Sequence, residues 1–176
     1  MTLEKKIEYI WDYYKIHIFI GILAVLAIIW GIHHAFTYVD YKFYGMVINS
    51  DQYDEEAFAR LRDDLGMEKH DGFSFTGGLY TDETSGFSPY GNRLTLMIMT
   101  NQIDFAFADE EGLEYLQGCG FVQDFTDISD SPVQDYFGLD DKTKYLVFVG
   151  LSGNEQYMDT FKSLIVKIDS GEIKGE

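Results

Sequence analysis

Three groups of carboxylates have the types and spacing to do chemistry: Asp51–Asp54–Glu55–Glu56, Asp109–Glu110–Glu111 and Asp124–Asp127–Asp130. Such groups can hold hard cations, or pair as acid and base in glycoside hydrolysis. No Asp-x-Asp-x-Asp-Gly calcium loop is present, however, and the first two groups sit where an extended run gives way to a helical one. A carboxylate placed there accepts from free helix N–H groups and favours the positive end of the helix dipole. Capping is the reading adopted, with no metal site expected. Nucleophilic chemistry has fewer residues to use. Of four histidines, His17, His33 and His34 lie in or beside a long apolar segment, which leaves His70. The single Cys119 has no supporting local motif. No G-x-S-x-G, H-E-x-x-H, P-loop or G-x-G-x-x-G occurs. The expectation is a non-enzyme with no catalytic residue and no cofactor.

The apolar segment dominates the elements that must carry these residues. Ile16–Ile32 (IHIFIGILAVLAIIWGI) has no formal charge, and as a helix it spans roughly 25 Å. Trp11, Tyr13 and Tyr14 flank one side and Trp30, Phe36 and Tyr38 the other, as aromatic side chains do at membrane interfaces. A signal peptide has a shorter apolar stretch, about 7–15 residues, and a small-residue cleavage site that His33–Phe36 does not offer. Residues 16–36 therefore read as an uncleaved transmembrane signal anchor. Lys5, Lys6 and Lys15 precede it and only Lys42 closely follows, which predicts residues 1–15 in the cytoplasm and everything after the helix outside. Gly21, Ala24, Ala27 and Gly31 make one small-residue face along which a membrane-protein partner or a second copy could approach.

Nearly all of the formal charge of −17 lies beyond the helix. Nucleic acid and anionic headgroups both need basic surface, so neither is expected as a partner. After a short linker at 37–42, residues 43–168 alternate strand-like and helical runs, and 169–176 form a tail. Lys42–Ser50, Phe73–Thr81, Ile103–Asp109 and Tyr145–Ser152 read as strands. Glu55–Leu65, Glu110–Gly118 and the run after Asn154 read as helices, and residues 82–92 as a loop. Leu94–Thr100 fits either state and is assigned to helix, because a parallel strand at Ile103–Asp109 needs a crossover before it. The fold expected is α/β, one mostly parallel sheet covered by helices. Phe105, Phe107, Leu146 and Phe148 should then be buried together with their opposite-parity neighbours Ala106, Val147 and Val149.

Two stretches resemble a known family. NQIDFAFADEEGLEYLQGCGFVQDFTDI (Asn101–Ile128) is similar to a passage in extracellular solute-binding proteins of ABC importers, where a strand ends in an acidic turn and a helix carries a "l..l...G" pattern. YLVFVGLSGNEQYMDTFKSLI (Tyr145–Ile165) resembles that family's later strand and helix. The resemblance implies one lobe of a type II periplasmic-binding fold, with a helix replacing the family's lipid-anchored cysteine. The whole chain looks like small single-pass membrane proteins of Gram-positive bacteria. The function this implies is a membrane-anchored extracytoplasmic module that binds a partner protein or small solute. The alternative is an accessory subunit of a transporter-type membrane complex with a structural cap domain. Open α/β sheets bind beyond their C-terminal strand ends. That nominates Asn49, Ser50 and Asp51, then Asp109 and Glu110, then Ser152, Gly153 and Asn154.

Overall fold

The structure is a computed structural model that describes residues 3–81 and 89–173. The chain divides into two units, at Val39 and Asp40. The first is one helix, α1 (Leu3–Thr37). Its stretch Tyr13–Thr37 has a mean hydropathy of 2.3 and is long and apolar enough to cross a membrane, as an anchor or a signal sequence would be. Apolar side chains recur all round this stretch, including Phe19, Leu23, Leu26 and Trp30, with no polar stripe along it.

The second unit runs β1 (Asp40–Ile48), α2 (Glu55–Asp64), β2 (Asp71–Leu79), α3 (Pro89–Met99), β3 (Phe105–Ala108), α4 (Glu110–Gly118), β4 (Asp124–Asp127), α5 (Pro132–Phe137), β5 (Tyr145–Phe148) and α6 (Glu155–Asp169). The helices α2, α4 and α5 begin at side-chain caps. Asp54 accepts from the backbone of Glu56 and Ala57, Asp109 from Gly112, and Ser131 from Val133. Gly66 and Gly138 follow α2 and α5 in left-handed backbone, at φ 60° each, which a residue bearing a Cβ would resist. The loop expected at 82–92 is shorter than that, because α3 already begins at Pro89, a residue suited to a first helical turn. Residues 82–88 lie outside the described part.

The strand order is β2-β1-β3-β5-β4. β1 pairs parallel with β2 and with β3, whereas β5 pairs antiparallel with both β3 and β4. The mostly parallel sheet expected from the sequence is therefore a mixed one. The physical reason lies between β4 and β5. The six-residue α5 spans only about 9 Å, and Ile128 N–H donates to the Lys144 carbonyl at 2.7 Å, so the chain re-enters the sheet at the end where it left.

Burial came out as expected even though direction did not. Phe105, Phe107, Leu146 and Phe148 are buried among Phe58, Phe137 and Phe161 on the face covered by α2, α5 and α6. Ala106, Val147 and Val149 are buried with Leu94, Met97 and Leu113 on the face covered by α3 and α4. Helices cover both faces, so an antiparallel strand between them is as apolar as a parallel one.

Candidate functional site

The strand order reverses at β1. The chain passes from β1 outward to β2, then crosses back to β3 on the other side, and in open α/β sheets ligands bind beyond the C-terminal strand ends at such a reversal. Asn49, the first residue past β1, sits there in left-handed backbone at φ 62°, a conformation its short amide side chain tolerates. Its amide is fully used. Oδ1 accepts from Thr81 N–H at 2.8 Å, and Nδ2 donates to Asp109 Oδ1 at 2.8 Å and to Thr81 Oγ1 at 2.9 Å. Thr81 Oγ1 stands 3.2 Å from Glu111 Oε1, which ties in the first turn of α4. Asp109 Oδ1 thus serves two donors, Asn49 and the Gly112 N–H it caps.

Next along the chain, Ser50 donates to Asp140 Oδ2 at 2.9 Å and accepts from Gln52 N–H. Burial pushes the Asp140 carboxyl up, but hydrogen bonds from Thr143, Ser50 and the backbone outweigh it and hold the group below the usual carboxylate range. Tyr80 donates to Asp51 Oδ2 at 2.6 Å. Gly78, at φ 66°, leaves the space that Asp51 occupies, since a Cβ there would lie 2.6 Å from Oδ1. Glu110 faces outward into an open depression of about 600 Å³, bounded also by Asp109, Glu111, Glu114, Asp141 and Lys142.

Five of the eight nominated residues therefore belong to one end of the sheet. Ser152, Gly153 and Asn154 do not. Because β5 runs antiparallel, they lie at the opposite end, beside the N-terminal ends of β1 and β3, and this corrects their grouping with the others. The residue that organises that end is Asp104, 1 % exposed. Its carboxylate accepts from Tyr44 N–H at 2.8 Å and Ser152 N–H at 3.0 Å. Asn154 precedes α6 but does not cap it. Its Nδ2 donates instead to the Lys42 carbonyl on β1. A cavity of about 270 Å³ opens here, lined by Asp104, Gln123, Gly153, Asn154, Asp159 and Lys162.

Neighbouring residues form an ionic group. Lys42 Nζ lies 3.0 Å from Asp71 Oδ1, and Tyr157 donates to Asp71 Oδ2 at 2.5 Å. The Tyr157 hydroxyl, then Lys42, holds the Asp71 carboxyl below its ordinary value. A lowered folded-state value means stability that is present above the unfolded carboxylate range and lost as pH falls through the folded one. Thermal melting of the full chain should show this loss beginning below about pH 4, and Asp71→Asn should flatten that limb of the profile.

Among the described residues, no three His, Cys, Asp or Glu side chains converge to hold a metal ion. Thr81, Asp140 and Asp104 were not foreseen. A signal existed for Asp104, a lone carboxylate opening the apolar run Ile103–Ala108, which must find donors if buried. Thr81 acts through Asn49 and Glu111, and Asp140 reaches Ser50, partners far away in sequence that spacing does not reveal. No family model, curated protein or solved structure matches the chain.

Proposed function

We propose that the protein is a non-enzymatic, membrane-anchored binding module. In this reading α1 spans the bilayer with residues 1–15 in the cytoplasm, and the α/β domain recognises a partner protein or small solute outside the cell. The domain resembles one lobe of a solute-binding protein, and the ligand site is the crevice at the ends of β1 and β3. One observation carries the reading. Asn49 after β1, Thr81 after β2, and Asp109 with Glu111 after β3 arrive from three connections and interlock at the point where strand order reverses, and left-handed backbone at a non-glycine residue is found disproportionately at functional sites. The interlock would pre-form the site, with the carboxylates around it favouring a cationic or hydrogen-bond-donating ligand.

The test is the melting of the full chain in detergent micelles against a panel of amino acids, monosaccharides and small amines. A ligand at a hundred times its dissociation constant stabilises by about 2.7 kcal/mol, which a melting curve resolves. One class should raise the midpoint, and Asn49→Ala should abolish that rise. An accessory subunit would show no shift with any class and would co-purify with a membrane partner. The small-residue face of α1 suits that second reading, since a Cβ at Gly21 or Gly31 would meet nothing within 4 Å and a second helix could pack there.

A further inference from the structure

The geometry points to β4 as a docking strand for an extended, lysine-bearing peptide of a partner protein, which would add to the sheet beside it. The sheet ends at β4, and all four residues of the strand are exposed. Ile128 N–H donates to the Lys144 carbonyl, so in this antiparallel ladder Thr126 and Asp124 also point their backbone groups at β5. The groups of Phe125 and Asp127 then face outward. In agreement, the Phe125 N–H is met by the neighbouring Asp124 carboxylate at 2.9 Å and not by the ladder.

A groove of about 270 Å³ runs between this edge and α6. Ile128, Val133, Phe148 and Ile165 are its buried apolar lining, and Val166, 66 % exposed, stands at its side. Peptides that add to a sheet edge gain main-chain hydrogen bonds, and pockets for alternate side chains give specificity. Here both parts exist side by side. Charge selects the occupant. Asp124, Asp127 and Asp169 line the groove against the single Lys162, whose ammonium lies over the Phe148 ring at 4.9 Å. Acidic residues on an edge are a common guard against unwanted pairing, and on a chain of net charge −17 they oppose a second copy. A strand alternating valine and lysine meets no such repulsion. It would lay valines over the apolar lining of the groove and lysines beside Asp127.

The probe is acetyl-Val-Lys-Val-Lys-Val-Lys-Val-amide, titrated calorimetrically into the full chain in nanodiscs of zwitterionic phosphatidylcholine. Saturable binding is expected, with slowed hydrogen exchange at the Phe125 and Asp127 amides. Val166→Lys, on an exposed helix face, should weaken binding at least tenfold, and so should Asp127→Ser. If Asp127→Ser melts early, Val166→Lys alone decides. The proposal is overturned by absence of saturable binding, by equal affinity for the glutamate analogue or for a peptide methylated on alternate amides, or by indifference to Val166→Lys. Self-association through β4 would also overturn it. None of these outcomes bears on the crevice at Asn49, which is a separate surface.

Discussion

Replacing Phe105 by alanine should lower the stability of the α/β domain by about 3–5 kcal/mol, the range for a fully buried aromatic side chain. The ring is 0 % exposed and stacks on Phe161 at 4.0 Å between centroids, with Phe43 at 5.5 Å and Phe107 at 5.8 Å. It also lies directly over Gly45 on β1, where a Cβ would come 2.3 Å from its Cζ. The glycine and the ring fit as a pair, and the cavity left by alanine is walled by rigid aromatic neighbours that cannot collapse into it. Urea unfolding of the full chain in micelles, followed by near-ultraviolet circular dichroism, measures the effect. A loss that large is a big share of the 5–15 kcal/mol typical of a domain. A near-neutral result would mean that β1 and β3 do not meet in this register.

Asp104→Ala should cost about 2–4 kcal/mol, because it leaves the Tyr44 and Ser152 N–H groups without an acceptor, and an orphaned buried donor costs about 1–3 kcal/mol. The side chain joins β1, β3 and the turn after β5, so its loss should loosen all three together. Asp104→Asn keeps one acceptor oxygen and should cost less. Burial holds this carboxyl above its ordinary value, against hydrogen bonds from Ser152 and Tyr44. The sign is opposite to that of Asp71. The stability associated with Asp104 is full below about pH 4, where its carboxyl is protonated, and declines as pH rises through the folded value and the buried group must ionise. A pH series of unfolding curves on wild type and Asp104→Asn separates the two carboxylates. Equal stability of Asp104→Ala and wild type would contradict the shared-acceptor role.

Particular residues show where sequence reading succeeds. The caps at Asp54 and Asp109 follow from local chemistry, because each satisfies donors two or three residues away. The apolar stripe of α6 is legible for the same reason, with Tyr157, Phe161, Leu164, Ile165 and Ile168 recurring at helical spacing and all buried. The direction of β5 was hidden. The apolar run Tyr145–Leu151 reports cover on two faces, which helices give to either strand direction. That one reversal moved Ser152, Gly153 and Asn154 to the far end of the sheet. The side chain of Asn154, just before α6, bonds a carbonyl on β1, a contact across 112 residues that no local pattern encodes. Asn49 was nominated for its place after a strand, but its left-handed backbone and its bonds to Thr81 emerge only from the folded chain.

The central claim, a domain held outside the cell by α1, is tested most directly by cysteine labelling in intact protoplasts. The chain has one cysteine, so Cys119→Ser gives a blank background into which Lys6→Cys or Lys142→Cys is placed. With a membrane-impermeant maleimide, Lys142→Cys should label at once and Lys6→Cys only after the membrane is permeabilised. Labelling of Lys6→Cys in intact protoplasts with protection of Lys142→Cys, or release of the labelled domain free of α1 into the medium, would contradict the account.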